Sequence, residues 1–125
     1  MPERFDEDVL GRLRNADEVA IETSRGPDAP VHRTVIWVVV DAEGRVLIRS
    51  YRGATARWFR EAVGSPAVSL TAGRMSIAAT ARVATDTERI EAASRGYIQK
   101  YPNDSGLPGM LADEVLGTTL ELVPR

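Results

Sequence analysis

Six consecutive apolar residues, Val35 to Val40, lie inside the segment Val31 to Asp41. Side chains along an extended chain alternate between two faces, so a strand carrying this run has no face suited to water. The run is also far too short for a membrane-spanning helix, which needs about 20 apolar residues. The segment therefore requires a sheet that closes over it on both sides. A barrel interior would cover one side and a partner the other.

The flanking sequence supplies further strands and the turns that join them. Val19, Ile21 and Thr23 alternate with Glu18, Ala20 and Glu22, the period of a half-buried strand over 18–24. Gly26, Pro27 and Pro30 then break the chain. Ala42-Glu43-Gly44 predicts a hairpin loop, with Arg45 to Tyr51 as the returning strand. Val68 to Ala72 and Met75 to Ala84 flank Gly73-Arg74 as a second hairpin, and Thr118 to Val123 forms a closing strand. Helical spacing marks Phe5 to Asn15, with Phe5, Val9, Leu10 and Leu13 on one face. A second helix is predicted over Thr55 to Val63, capped by Thr55 and stopped by Ser65-Pro66. A third opens at Thr85-Asp86-Thr87-Glu88, which has capping-box spacing, and carries the stripe Ile90, Ala93, Tyr97, Ile98 and Tyr101. A fourth, short helix covers Gly109 to Leu116. The order αβββαββααβ predicts an α+β fold: six mostly antiparallel strands in a small closed or nearly closed barrel with helices at its corners. A cystatin-like cone is the rival arrangement, but it wants one long early helix.

At 125 residues the chain is the size of one domain, with 1–16 as an N-terminal helical extension and 17–123 as the barrel. It has no cysteine, which excludes a disulfide framework, a thiolate metal site and a cysteine nucleophile together. The acidic start lacks an apolar export segment, so the expected home is the cytoplasm. His32 is the only histidine, so a His-based metal site is not expected; it reads as a surface residue or, alone, as a general base. Asp6-Glu7-Asp8 reads as solvated charge favouring a helix N-terminus rather than as a metal site. No phosphate loop, dinucleotide fingerprint or nucleophile elbow occurs. Catalysis by such a chain would lean on a bound cofactor.

Charge is uneven. Residues 31–60 carry six arginines (33, 45, 49, 52, 57 and 60) against Asp41 and Glu43, within a chain of net charge −2. A basic centre in an acidic protein argues against nucleic acid as a partner, which wants a broad basic surface, and for a local anion site. Arginine outnumbers lysine 15 to 1, so position must decide which arginines matter. The decisive stretch is Arg49 to Trp58, where a strand end becomes a helix start. The first N–H groups of a helix have no internal partners and lie at the positive end of its dipole. Gly53 permits close backbone approach, Ser50 and Thr55 add hydroxyls, and Arg49, Arg52 and Arg57 can fork onto phosphate oxygens. Arg33 and Thr34 belong to the neighbouring strand and fall within reach. Trp58 and Phe59 read as core anchors, with stacking on a flat ring as the sharper alternative.

These residues resemble a known group. Val31-His-Arg-Thr-Val-Ile-Trp-Val-Val-Val40, Val46-Leu-Ile-Arg-Ser-Tyr-Arg-Gly53, Arg57-Trp-Phe-Arg-Glu-Ala-Val63 and Ser65-Pro-Ala-Val-Ser-Leu70 look like the split-barrel flavin-binding superfamily. That group includes pyridoxamine-phosphate oxidases and deazaflavin-dependent nitroreductases, and the nearest likeness is to an uncharacterised branch of it. The resemblance implies a split β-barrel that forms a homodimer, with a cofactor phosphate at the strand-to-helix corner and the cofactor ring in a cleft between two barrels. Carried over by position, it makes Arg33, Thr34, Arg49, Ser50, Arg52, Gly53, Arg57 and Trp58 cofactor-binding residues, and Thr55 joins them from the corner itself. Tyr51-Arg-Gly-Ala54 stands where deazaflavin enzymes carry a lysine-rich, Gly-Gly-containing loop, and the arginine–serine pattern of pyridoxamine oxidases is incomplete. FMN, a deazaflavin coenzyme and no cofactor all remain open.

The expected function is an oxidoreductase moving a hydride between a flavin-type ring and a small organic substrate, with Trp37 or Trp58 walling the ring. Tyr51 or solvent water would donate the proton. The other readings are a non-redox barrel that binds a small anionic or aromatic ligand, and a cofactor-free enzyme using His32 as base.

Overall fold

A computed structural model describes residues 4–125; the first three residues of the expected N-terminal extension lie outside the described residues. Helix α1 (Glu7–Asn15) opens where the Asp6 carboxylate accepts the Val9 N–H at 3.0 Å. It buries Leu10 and Leu13 in the main core, so the extension packs on the barrel. The Asp6-Glu7-Asp8 run thus serves the helix: Glu7 pairs with Arg14 at 3.2 Å, and the early acids favour the N-terminal dipole.

The strands are β1 (Val19–Ser24), β2 (Val31–Ile36), β3 (Val39–Val40), β4 (Val46–Ile48), β5 (Ala67–Ala72), β6 (Met75–Val83) and β7 (Leu120–Pro124). They form one antiparallel sheet in the order β2-β1-β5-β6-β7-β4-β3, curled into a half-barrel. The sequence pattern predicts six strands, and the sheet has seven. The difference lies in the 31–41 segment, which is two strands at opposite edges: β2 pairs with β1, and β3 pairs with β4. Trp37 and Val38 carry the chain from one edge to the other. A continuous strand and two half-strands share the same apolar pattern, so periodicity does not distinguish them.

The same break changes what covers the apolar run. Val38 enters the main core, while Val39 packs with Ala92, Ala93, Tyr97 and Tyr101 in a second cluster under helix α3 (Thr87–Lys100). A helix of the same chain therefore covers the face expected for a partner. What stays exposed is the outer row of β2, with Val31 at 65% and Val35 at 60%. Trp58 and Phe59 are buried in the main core, on helix α2 (Arg57–Gly64).

Several caps differ from the sequence reading. Asp86, not Thr85, caps α3, its carboxylate accepting the Arg89 N–H at 3.0 Å. The expected helix over 109–116 is two short ones, α4 (Leu107–Met110) and α5 (Asp113–Leu116), parted where Ala112 is extended (φ −67°, ψ 145°). Helix α2 starts at Arg57 with Ala56 in the cap position, so Thr55 is not its cap. Thr55, the expected first helical residue, instead closes a single 3₁₀ turn, Gly53–Thr55. Among the described residues no helix is long and apolar enough to cross a membrane.

Candidate functional site

The corner between β4 and α2 is held by local hydrogen bonds. After Ile48 the sheet ladder ends, and the Ser50 N–H donates instead to the Thr118 hydroxyl at 2.9 Å. The Ser50 hydroxyl donates to the Gly53 carbonyl at 2.7 Å, and the Gly53 N–H returns to the Ser50 carbonyl at 3.0 Å. Gly53 sits at φ +82°, a left-handed conformation that costs a side-chain-bearing residue about 1 kcal/mol or more. A Cβ there would meet no atom within 4 Å, so the glycine is required by the turn itself.

Beside this corner lies a cleft of about 970 Å³. Seven of the nine residues expected to bind a cofactor line it: Arg33, Thr34, Arg49, Arg52, Thr55, Arg57 and Trp58. Ser50 and Gly53 do not; the first is fully buried and both serve the turn. The cleft also takes Trp37 and Tyr51, which position singled out in the sequence, and Arg60, Glu18, Gly106 and Met110, which it did not. Arg60 was legible in principle, because it falls three residues after Arg57 on the same helix face. Gly106 and Met110 arrive from a distant segment with no local signal.

Electrostatically the cleft is one-sided. Five guanidinium groups line it (33, 49, 52, 57 and 60) against the single carboxylate of Glu18. Arg33, Arg52 and Arg60 are exposed and form no salt bridge or side-chain hydrogen bond among the described residues. The first turn of α2 has no side-chain cap, and Ala56, Arg57 and Trp58 all face the cleft. Unpaired guanidiniums beside an uncapped helix N-terminus form a site for an oxyanion.

Arg49 differs from the other four. It is 1% exposed, and its Nε donates to Thr119 Oγ1 at 2.9 Å. Its Nη1 donates to Ser94 Oγ at 3.0 Å and to the Met110 carbonyl at 2.9 Å, while Nη2 donates to the Ile90 carbonyl at 3.0 Å. Four of its five N–H groups are therefore engaged, all with neutral acceptors. Burial pulls its pKa below the ordinary arginine value, since removing the cation from water penalises the charged form. Arg49 thus ties the end of β4 to α3 and α4 and places a fixed positive charge beneath the cleft.

The aromatic wall is rigid. Trp37 stacks on Tyr101 with ring centroids 4.0 Å apart and planes within 6°. Tyr101 is anchored in turn by its hydroxyl, which donates to the Asp17 carbonyl at 2.6 Å. The Tyr51 ring, 58% exposed, lies over Gly109, where a Cβ would fall 2.5 Å from its Cε2 atom. Gly109 is therefore what lets Tyr51 lie flat along the cleft edge.

His32 does not line this cleft. It faces a separate cavity and pairs with Glu61 at 3.0 Å. Among the described residues no group of three or more His, Asp or Glu side chains is arranged to hold a metal ion.

The family model described as "Uncharacterized protein conserved in bacteria (DUF2255)" matches residues 9–122. No curated protein matches the sequence. Among solved structures, the chain is similar to the protein Atu2129 (unknown function) from Agrobacterium tumefaciens, with a TM-score of 0.70 and 14% identity over 98% of this chain. It spans 56% of that protein's length. It is also similar to a pyridoxamine 5′-phosphate oxidase-like protein from Listeria innocua, with a TM-score of 0.65 and 16% identity over 95% of this chain and 92% of that one. An F420-H2 dependent reductase gives a TM-score of 0.62 and 16% identity over 86% and 93% of the two chains. These likenesses show that the chain shares the split-barrel fold of these proteins.

Proposed function

The chain belongs to the DUF2255 family of proteins conserved in bacteria, and we propose that it is a flavin- or deazaflavin-dependent oxidoreductase acting on a small organic substrate. The observation that carries this reading is the meeting, in one cleft of about 970 Å³, of unpaired guanidinium groups, an uncapped helix N-terminus and a clamped indole ring. The donor set suits a cofactor that joins a phosphate to a flat ring: cations and N–H groups gather at the corner, and aromatic faces line the wall. FMN and a deazaflavin coenzyme both meet that description.

In this reading Arg33, Arg52, Arg57 and Arg60 neutralise the phosphate. The N–H groups at the start of α2 and the hydroxyls of Thr34 and Thr55 donate hydrogen bonds to its oxygens. Arg49 holds the floor and adds a charge that solvent does not screen. Trp37 and Trp58 flank the ring, with Trp37 fixed by its stack on Tyr101. When bound, the cofactor supplies hydride transfer. Tyr51, at the cleft edge, holds the phenolic proton nearest to a substrate entering from solvent. A second copy of the chain, packed on the exposed Val31 and Val35 of β2, would close the open side as a homodimer.

An absorbance titration tests this directly. Adding FMN or the deazaflavin coenzyme at micromolar concentration should produce a saturable spectral shift, and Arg52→Ala together with Arg57→Ala should abolish it. No shift with either cofactor overturns the reading. One observation favours a second reading, a non-redox barrel that binds a small anion: no buried acid or base lines the cleft, whose only carboxylate is Glu18. Ligand-dependent stabilisation without turnover of a reduced cofactor would select it.

A further inference from the structure

Next to the main cleft along α2 lies a second cavity, about 370 Å³, lined by Arg25, His32, Arg57, Arg60, Glu61 and Gly64. Its floor is assembled from three elements. Thr23 and His32 are cross-strand partners in the β1–β2 pairing, so both reach the same stretch of α2. There Glu61, 6% exposed, accepts the Thr23 hydroxyl at 2.9 Å. Its two carboxylate oxygens lie 3.1 and 3.0 Å from His32 Nδ1. Burial by itself would raise the Glu61 pKa, but the hydrogen bonds from His32 and Thr23 and the charges of His32 and Arg57 outweigh it and hold the group below its ordinary value.

An ionised carboxylate only accepts, so Nδ1 of His32 carries the hydrogen. That leaves Nε2 as the ring nitrogen without a partner among the described residues, on a side chain 28% exposed. Around it stand three guanidinium groups, of Arg25, Arg57 and Arg60, none in a hydrogen bond or salt bridge among the described residues. One carboxylate, already shared between an imidazole and a hydroxyl, does not neutralise three cations. The cavity is therefore positive, and its donors come from three directions: the β1–β2 turn, strand β2 and helix α2.

We propose that this cavity is a second oxyanion site, taking a phosphate dianion as the free ion or as a monoester. The guanidiniums fork onto the phosphate oxygens, and the unpartnered Nε2 edge of His32 supplies the remaining contact. Glu61 is a positioning residue: by holding Nδ1 it fixes the ring and turns Nε2 toward the anion. Arg57 and Arg60 face both cavities, so the site shares its α2 wall with the main cleft but needs no ligand there.

His32 is the only histidine, so its imidazole resonances report on this cavity alone. The folded protein is titrated with inorganic phosphate, with glycerol phosphate, and with chloride at matched ionic strength. Either phosphate probe should shift the His32 signals saturably, chloride should not, and the ratio of the two affinities distinguishes free phosphate from an ester. Arg25→Ala, on an exposed turn, should weaken the response about tenfold or more, the effect of losing a charge-assisted hydrogen bond. Arg52→Ala, which touches only the main cleft, should leave it unchanged. Glu61→Gln should move the His32 ring signals of the ligand-free protein and weaken phosphate binding, a double effect that a purely structural role would not give. Absence of any phosphate shift at millimolar concentration overturns the proposal. So does a shift that survives Arg25→Ala but disappears in Arg52→Ala.

Discussion

The guanidinium carbon of Arg49 lies 5.7 Å from the ring centroid of Tyr97, and both side chains are sealed from solvent. The cation is held by four neutral acceptors and an aromatic face, with no carboxylate among its hydrogen-bond partners. Such an arrangement makes Arg49 part of the framework beneath the cleft and leaves ligand contact to its exposed neighbours.

Arg49→Ala should destabilise the fold by about 3 kcal/mol, because it takes the donor from two buried and two part-buried acceptors and removes a buried side chain. Arg52→Ala, at an exposed position with no partners, should change stability by no more than about 0.5 kcal/mol while still impairing ligand binding. Urea unfolding of the two variants separates these roles. Equal stability in both would mean that the buried guanidinium contributes nothing to the framework.

Glu61 gives the protein an acid-sensitive joint. Its folded pKa is lower than its ordinary value of 4.5, so its stabilising contribution is complete above that pH and fades as pH falls through the folded pKa. Glu61→Gln should flatten the acid limb of the stability profile. Thermal unfolding between pH 6 and 2 reads the difference, and parallel profiles for the two proteins would count against the pair.

Lys100 titrates in the opposite sense. Its ammonium donates to the Leu13 carbonyl at 2.9 Å and to the Val38 carbonyl at 2.7 Å, joining α1 to the β2–β3 crossing. Burial pulls its pKa from 10.5 down to about 8 despite the opposing charge of Asp17. The unfolded chain therefore binds this proton more tightly than the folded one, and stability from this group should rise as pH climbs from about 8 to about 10.5. Lys100 is the only lysine, so a side-chain NMR titration gives a single curve with its midpoint near 8. A midpoint at the ordinary lysine value would contradict the buried placement.

Val31 and Val35 are exposed on either side of Arg33 along edge strand β2. If a second copy covers that row, the double substitution Val31→Glu and Val35→Glu should convert a dimer into a folded monomer. Sedimentation of both proteins checks this. A wild-type monomer at working concentration would leave the row without that partner.

Much of this was legible locally. Period-two alternation located β1, the Gly73-Arg74 turn located the β5–β6 hairpin, and helical spacing with polar starts located α1 and α3. Of the nine residues singled out around the strand-to-helix corner, seven line one cleft. The misses share a cause. The 31–41 segment looks the same whether it is one strand or two, and only pairing with β1 and β4 at opposite edges separates the halves. Arg49, Arg52 and Arg57 look alike in sequence, and only the arrival of Ser94, Met110 and Thr119 turns the first of them inward.

Neighbouring residues were enough for the α+β class, the strand-to-helix corner and its positive charge, because alternation, turn chemistry and net charge are local properties. Tertiary structure alone decided which arginine became scaffold, which helix covered Val39, and that His32 found Glu61 instead of the main cleft. Those outcomes depend on contacts between residues tens of positions apart, and a buried polar group takes whichever partner the packing brings within hydrogen-bonding distance.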